Sequence, residues 1–374
     1  ASTSIDLGVK VGFRDDAPSV STNTVSTVLE VDETVLTSND SENFASAFTV
    51  NYGADGAGST VYSLGVSSAG EDSLLDDVAS GNSIYLYENA GVIYGQVNNT
   101  TGIYDASGIN AFTLTVNSAT GDVTLDQIRA ITHPTGGNAS PDELVRIAAG
   151  TVSLTATVTD KDNDTASTSI DLGVKVGFRD DAPTITAGST LGIIAVDESA
   201  LATGALPATD PDGMGPFNAA ATNKLQGFAT NAFTTNYGAD GAGSIVKTLQ
   251  VSTTGVSSGL RDTETGNLIY LYKVANDVVG RVGNVSSANS AGAEAFRIAL
   301  SGDDVTLTQS RSIRHANPAD PDELATPATI ANAAIRLQGV IADKDGDTAT
   351  HSINIGDRFQ FLDDAPTATD PLTA

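Results

Sequence analysis

The chain has no cysteine and no tryptophan, one methionine (Met214), and 18 basic residues against 46 acidic ones. Without thiols there are no disulfides and no thiolate metal sites, so the redox compartment cannot be read from cysteine, and an extracellular chain of this kind needs another staple. The net charge of −28 repels polyanions and attracts cations, which sets nucleic acid and anionic surfaces aside as partners. No apolar run is long enough to span a bilayer and no signal peptide is visible, so membrane insertion is not expected. With Met214 the only methionine, the chain reads as a piece of a longer protein. Low hydrophobicity with high charge can mean disorder, but 40% hydrophobic residues in clean alternating patterns argue for a folded core.

What is present is repetition. The eighteen residues ASTSIDLGVKVGFRDDAP at Ala1 to Pro18 return letter for letter at Ala166 to Pro183, and a diverged copy, ATHSINIGDRFQFLDDAP, runs from Ala349 to Pro366. Between these marks Val31-Asp32-Glu33 matches Val196-Asp197-Glu198, NYGADGAGS at Asn51 to Ser59 recurs at Asn236 to Ser244, and Asp160 to Thr165 (DKDNDT) matches Asp343 to Thr348 (DKDGDT). The prolines set periods of 165 (183 − 18) and 183 (366 − 183) residues. The longer second period reflects Ala202 to Thr222, rich in Ala, Gly and Pro, which reads as a surface-loop insertion. The expected organisation is a terminal strand and linker of a preceding repeat (1–18), two tandem repeats (19–183 and 184–366), and the start of another linker (367–374).

Ile5, Leu7, Val9, Val11 and Phe13 alternate with polar or small residues, as do Ile170, Leu172, Val174, Val176 and Phe178, which is the period of a half-buried strand. In the third copy Asp357 breaks the alternation, suggesting a sheet edge or frayed face. Upstream, Val152, Leu154, Ala156 and Val158 alternate likewise, so the two runs around DKDNDT predict an antiparallel hairpin with an acidic turn. Shorter strands are expected at Ser26 to Val31, Phe44 to Asn51, Thr60 to Val66, Ser83 to Tyr87, Val92 to Val97, Ala111 to Val116 and Asp122 to Leu125. Helix is limited to single capped turns at Ser140 to Leu144 and Asp320 to Leu324. The fold class is all-β, with tandem immunoglobulin-like or cadherin-like sandwich modules. Each period exceeds one such sandwich of roughly 100 residues, so one elaborated sandwich or two small ones per repeat remain open, as does whether the strand before DDAP belongs to the module behind or ahead.

The strongest chemical signal is Asp160, Asp162 and Asp164 on one turn, repeated by Asp343, Asp345 and Asp347. Calcium takes six to eight oxygen ligands, and alternating acids on a tight turn aim several at one point. The second signal is the adjacent pair Asp180-Asp181 before Pro183, with Asp15-Asp16 and Asp363-Asp364 in the other copies. Two neighbouring acids repel unless a cation sits between them. If 164 to 180 runs mostly as one strand of about 3.3 Å per residue, the two clusters of one module lie at opposite poles. Asp180 and Asp181 are then expected to approach Asp343, Asp345 and Asp347, and Asp15 and Asp16 to face Asp160, Asp162 and Asp164. Glu33, with Asp32, is expected to reach the Asp180-Asp181 pole, and Glu198 is its counterpart in the second repeat.

In this order and over nearly the whole chain, the set VDE, YGADGAGS, PDEL, DKDGDT and GFRDDAP resembles the large tandem repeats of giant RTX (repeats-in-toxin) adhesins exported by type I secretion. The resemblance implies calcium-stiffened β-sandwich extender modules on a bacterial surface, projecting a ligand-binding region in attachment or biofilm formation. Their partners would be neighbouring repeats of the same polypeptide, the chain monomeric, and its location extracellular. The acidic linkers are similar in principle to those of cadherins. The glycine-aspartate nonapeptide that names RTX proteins is absent from this sequence.

Catalysis is not expected. His133, His315 and His351 accompany no nucleophile motif and no HExxH pattern, and read as structural or loop residues. NYGADGAGS lacks the lysine and helix of a phosphate loop and reads as a tight strand connection. The alternative is a calcium-dependent carbohydrate- or protein-binding adhesin module, with Tyr85, Tyr87, Tyr94 and Tyr104, and their counterparts Tyr270 and Tyr272, as stacking candidates. Aromatic content of 5% makes that case thin.

Overall fold

From Val152 to Asp160 every second side chain is buried while the intervening Ser153, Thr155, Thr157 and Thr159 are half-covered, which is how a strand with one core face behaves. The computed structural model describes residues 2–5, 7–135, 142–189, 191–201, 221–317 and 326–364. The chain divides into two compact units. The first comprises Ala1–Ala182 together with Tyr237–Gly243 and Asp343–Asp347; the second comprises Pro183–Asn236, Ser244–Ala342 and Thr348–Ala374. Both are all-β, with only short 3₁₀ turns as helix among the described residues.

Numbered along the chain, the first unit holds β1 (Ser19–Thr22), β2 (Leu29–Asp32), β3 (Asp40–Asn43), β4 (Phe48–Asn51), β5 (Ala57–Val66), β6 (Glu71–Asp77), β7 (Asn82–Asn89), β8 (Val92–Val97), β9 (Asn110–Val116), β10 (Asp122–Gln127), β11 (Leu144–Arg146), β12 (Val152–Asp160), β13 (Thr165–Asp171) and β14 (Val176–Arg179). A six-stranded sheet has the order β3-β10-β9-β8-β7-β6, two three-stranded sheets have the orders β13-β12-β5 and β11-β14-β2, and β1 pairs with β4. One apolar cluster joins the inner faces of these sheets. Ile84, Leu86, Phe112, Leu114 and Val123 from the large sheet meet Leu64, Leu154 and Ala156, and Leu29, Val176 and Phe178 close it. The Phe112 and Phe178 rings lie 5.1 Å apart and tilted, a favoured aromatic geometry. Deleting a ring so placed costs about 3–5 kcal/mol. The second unit has a six-stranded sheet and two three-stranded ones of its own, and its rings Phe296 and Phe361 stand 5.0 Å apart.

The DKDNDT hairpin forms as expected: β12 pairs antiparallel with β13 from Ser153↔Asp171 to Thr159↔Thr165. Its turn needs a left-handed residue, supplied by Asn163 (φ 81°) in one copy and Gly346 (φ 111°) in the other.

Beyond the hairpin, the run Ile170 to Phe178 departs from the expected single strand. β13 ends at Asp171, a 3₁₀ turn covers Gly173–Lys175, and β14 joins a different sheet, parallel to β2 and antiparallel to β11. Asp171 drives the break, because its carboxylate accepts from Gly150 N and Gly173 N, each at 2.8 Å. A side chain at Gly173 would put Cβ 2.3 Å from Ala148 O, so only glycine fits there. Val174 is the residue that leaves the core, while Leu172, Val176 and Phe178 keep the apolar period across the turn. The first copy turns at Gly8–Lys10 and the third at Gly356–Arg358, so Asp357 lies on that turn rather than on a frayed strand. The estimate of one continuous strand from 164 to 180 fails for the same reason.

β6 was not among the expected strands; Leu74 there has φ 61°, where the pairing with β7 shifts register. Of the capped turn expected at Ser140 to Leu144, residues up to 141 lie outside the described residues, and Leu144 opens β11. The turn at Asp320 to Leu324 and most of the insertion at 202–222 also lie outside them.

Candidate metal centre

β14 ends on Arg179, and the chain then enters DDAP with Asp180 N bonded to Glu143 O at 2.9 Å. That anchor turns the Asp180 side chain inward, where it has no exposed surface and neither carboxylate oxygen has a hydrogen-bond partner. Asp181 takes a different role, its two oxygens each accepting from Ala239 N at 3.2 Å. This contact needs the glycine of NYGADGAGS: Gly238 has φ +69°, and a Cβ there would stand 2.1 Å from Asp181 Oδ2. The loop thereby delivers Asp240, which is 2% exposed and has both oxygens without a hydrogen-bond partner.

Glu33 comes from the 3₁₀ turn Glu33–Val35 after β2. Its Oε1 accepts from Ile131 N at 2.8 Å and Gln127 Nε2 at 2.6 Å, which leaves the buried Oε2 without a partner. Ligand oxygens of Glu33, Asp181 and Asp240 lie within 4.8 Å of one another. Beside them, His133, Asp180 and Asp345 form a second group of the same tightness. All these residues, with Asp343 and Asp347, belong to the first compact unit.

Burial pushes these acids up: Glu33 and Asp180 to about 8, Asp240 to about 9 and Asp343 to about 7, with neighbouring carboxylates adding to each. Asp181 is raised as well, by burial first. Among the described residues no lysine or arginine forms an ion pair with Glu33, Asp180, Asp181 or Asp240. A buried carboxylate left unpaired costs several kcal/mol, so such a group is protonated or faces a cation. The arrangement has the donor chemistry of a hard divalent cation: many oxygens, buried, converging, and lacking positive partners.

The two other copies carry parts of the same arrangement. Asp16 accepts from Ala54 N, Gly53 has φ +73°, and Asp15, Asp16 and Asp55 cluster, as do Asp15, Asp162 and Asp164. These groups are exposed, whereas Asp160 is buried and binds Asp164 N through Oδ1 at 2.8 Å. Asp55 is raised through its hydrogen bond with Asp16. In the second unit Glu198 Oε1 accepts from Ile313 N and Gln309 Nε2, and Glu198, His315 and Asp363 cluster. Asp364 is exposed and its N–H donates to Asp363 Oδ1.

Of the residues anticipated from sequence, the structure brings Asp180 to Asp345, Glu33 to Asp181, Glu198 to Asp363, and Asp15 to Asp162 and Asp164. Asp240, Asp55, His133 and His315 were missed. NYGADGAGS is a strand connection that also carries Asp240 into the buried carboxylate cluster, and its perfect repetition was the available signal. Among the stacking candidates, Tyr87 is buried with its hydroxyl on Asn99 O at 2.5 Å, and Tyr272 is buried too, so neither can stack on a ligand. Tyr94 and Tyr104 stack on each other at 4.6 Å.

The family model described as a domain of unknown function, DUF5801, matches the chain twice, at residues 28–173 and 193–356. The chain belongs to the DUF5801 family. Each DUF5801 match begins just before a VDE turn and ends within the 3₁₀ turn that precedes the DDAP segment. The acids at 180–181 and 363–364 therefore lie just beyond the matched spans. No curated protein matches the chain.

Proposed function

We propose that these DUF5801 repeats are calcium-stiffened extender modules of a secreted bacterial cell-surface adhesin, built as immunoglobulin-like or cadherin-like β-sandwiches. The observation that carries the reading is the set of buried carboxylate oxygens without partners on Glu33, Asp180 and Asp240. Oxygen donors in this number suit Ca²⁺, held by Glu33, Asp181 and Asp240 with Asp180, Asp343, Asp345 and Asp347 alongside. Such an ion ties the DDAP segment of one repeat to turns drawn from the sequence of the next. It also supplies the staple that a chain without cysteine lacks. Extracellular modules bind Ca²⁺ at about 10⁻⁴–10⁻³ M, and an ion at about 100 times its Kd adds roughly 2.7 kcal/mol.

In this reading the chain is exported unfolded by type I secretion and is stapled by calcium met outside the cell. It acts as a monomeric spacer whose partners are its own neighbouring repeats, it performs no catalysis, and it projects a distal region for attachment or biofilm formation. Small-angle scattering with calcium and then with excess chelator tests it, alongside the double variant Asp180→Ala, Asp181→Ala. A maximum dimension that shortens on chelation and in the variant, while far-ultraviolet circular dichroism is unchanged, supports a stiffener. A dimension unaffected by either rules the stiffening role out.

A further inference from the structure

We propose that the first unit holds a second, chemically different metal site, in which His133, Asp180 and Asp345 bind a borderline divalent cation such as Zn²⁺ next to the all-oxygen calcium site. The inference rests on the reading of this pole as a metal centre and assigns Asp180 and Asp345, which flank the calcium ligands Glu33, Asp181 and Asp240, to the second ion; its nitrogen ligand, metal and test are separate.

His133 carries the argument. Its ring is fully buried, and Nε2 lies 3.2 Å from the carbonyl oxygen of Phe178. A carbonyl only accepts, so Nε2 carries the proton and Nδ1 presents its lone pair. That lone pair points at Asp180 Oδ1, 3.4 Å away, and Asp345 Oδ2, 4.0 Å away, and Nδ1 has no hydrogen-bond partner. Asp345 Oδ2 also accepts from the His133 backbone N–H at 3.4 Å, and three acceptors facing one another in a buried space require a proton or a cation among them.

A proton fits poorly, because a charge-assisted N–H···O bond closes to about 2.7–2.9 Å. A metal fits better. Ligands at 2.0–2.1 Å around a tetrahedral ion stand about 3.3 Å apart, close to the His133–Asp180 separation. Asp345 sits on the acidic turn, where a small shift would close the remaining gap, and a water would fill the fourth position.

Imidazole nitrogen distinguishes this group from its neighbour. Ca²⁺ takes oxygen almost exclusively, whereas His with carboxylates suits Zn²⁺ and related ions. The Phe178 carbonyl acts as the outer partner that fixes the tautomer of a metal-bound histidine. In the second repeat His315, Glu198 and Asp363 also group one imidazole with two carboxylates, there with Nε2 rather than Nδ1 facing Glu198.

The experiment uses the full chain carrying His315→Gln, to silence the second group, in buffer with about 5 mM Ca²⁺, a saturating level for such modules. Zn²⁺ is titrated in, bound Zn²⁺ and Ca²⁺ are counted by elemental mass spectrometry, and Co²⁺ serves as an absorption probe of nitrogen ligation. One Zn²⁺ retained per chain with the Ca²⁺ count undiminished is expected, with visible Co²⁺ bands. His133→Gln should weaken Zn²⁺ about tenfold or more and abolish the Co²⁺ bands while Ca²⁺ stays bound. Asp345→Asn, on a turn rather than in the core, should weaken Zn²⁺ likewise and covers the case in which His133→Gln does not fold. No retained Zn²⁺, Zn²⁺ retained equally by both variants, or Zn²⁺ that only displaces Ca²⁺ one for one overturns the inference. The first and third of these results leave the calcium reading standing, whereas a chain that binds neither metal removes both.

Discussion

Gly238→Ala separates loop geometry from metal binding with a single methyl group. At φ +69° an alanine pays the left-handed penalty of about 1–2 kcal/mol. Its Cβ would also stand 2.1 Å from Asp181 Oδ2 and 2.5 Å from Cγ, a clash that only movement of Asp181 or of the loop relieves. Either movement breaks the Ala239 N–H contacts and withdraws Asp181 or Asp240 from the centre. Gly241→Ala is the matched control, because it too has a positive φ (+80°) but nothing lies within 4 Å of its Cβ. Denaturant unfolding in excess chelator should therefore show Gly241→Ala destabilised by about 1–2 kcal/mol and Gly238→Ala by more, because it also loses the Ala239 contacts. Calorimetric titration with Ca²⁺ should show affinity lowered about tenfold or more in Gly238→Ala and unchanged in Gly241→Ala, one lost ligand being worth at least about 1.4 kcal/mol. Equal calcium affinities in the two variants would refute the assignment of Asp181 and Asp240 as ligands.

Three further outcomes follow from the same structure. In chelator, Glu33, Asp180 and Asp240, raised to about 8, 8 and 9, hold protons that the unfolded chain has released above about pH 4. Apo stability should thus fall as pH rises from about 4 to 9, and Ca²⁺ should flatten that slope and release protons on binding, measurable in buffers of different ionisation enthalpy. Arg129→Met should cost about 3–5 kcal/mol with or without calcium, because it leaves the fully buried Asp77 carboxylate without its 2.6 Å partner. Burial alone would raise Asp77, but Arg129 and Ser80 hold it below the usual range, so the stability it contributes is present above about pH 4 and lost as pH falls further. Tyr94→Ala should leave glycan-array signals unchanged, since Tyr94 stacks on Tyr104; sugar binding that disappears with Tyr94 would favour the carbohydrate-binding alternative.

The all-β class and the β12–β13 hairpin were legible because each depends on a local period; Asp180 does meet Asp345, although the single strand over 164–180 on which that expectation rested is broken at Gly173–Lys175. The switch of sheet at Gly173–Lys175 was not legible, since the apolar period of Leu172, Val176 and Phe178 continues through a turn set by the long-range bonds of Asp171. β6 escaped because only Ser73, Leu75 and Asp77 of its seven residues are buried, set among carboxylates that mask the alternation. Asp240 was missed for a related reason: its neighbours Asp181 and Glu33 lie far away in the chain, and a glycine-rich loop announces a turn more loudly than a ligand. His133 carries no local pattern at all, and only burial against Phe178 O and Asp180 gives it a role.

The most direct test of calcium in this centre is thermal unfolding of the wild-type chain and of Asp240→Asn, each with about 5 mM Ca²⁺ and with excess chelator. At about 5–50 times the Kd, one ion adds roughly 1–2.3 kcal/mol, which for a unit of this size is a rise of about 2–9 °C. The account predicts that rise for the wild type and a clearly smaller one for Asp240→Asn, whose chelated form should melt no lower than the chelated wild type because it removes a buried acid. Identical melting of the wild type with and without calcium would contradict it.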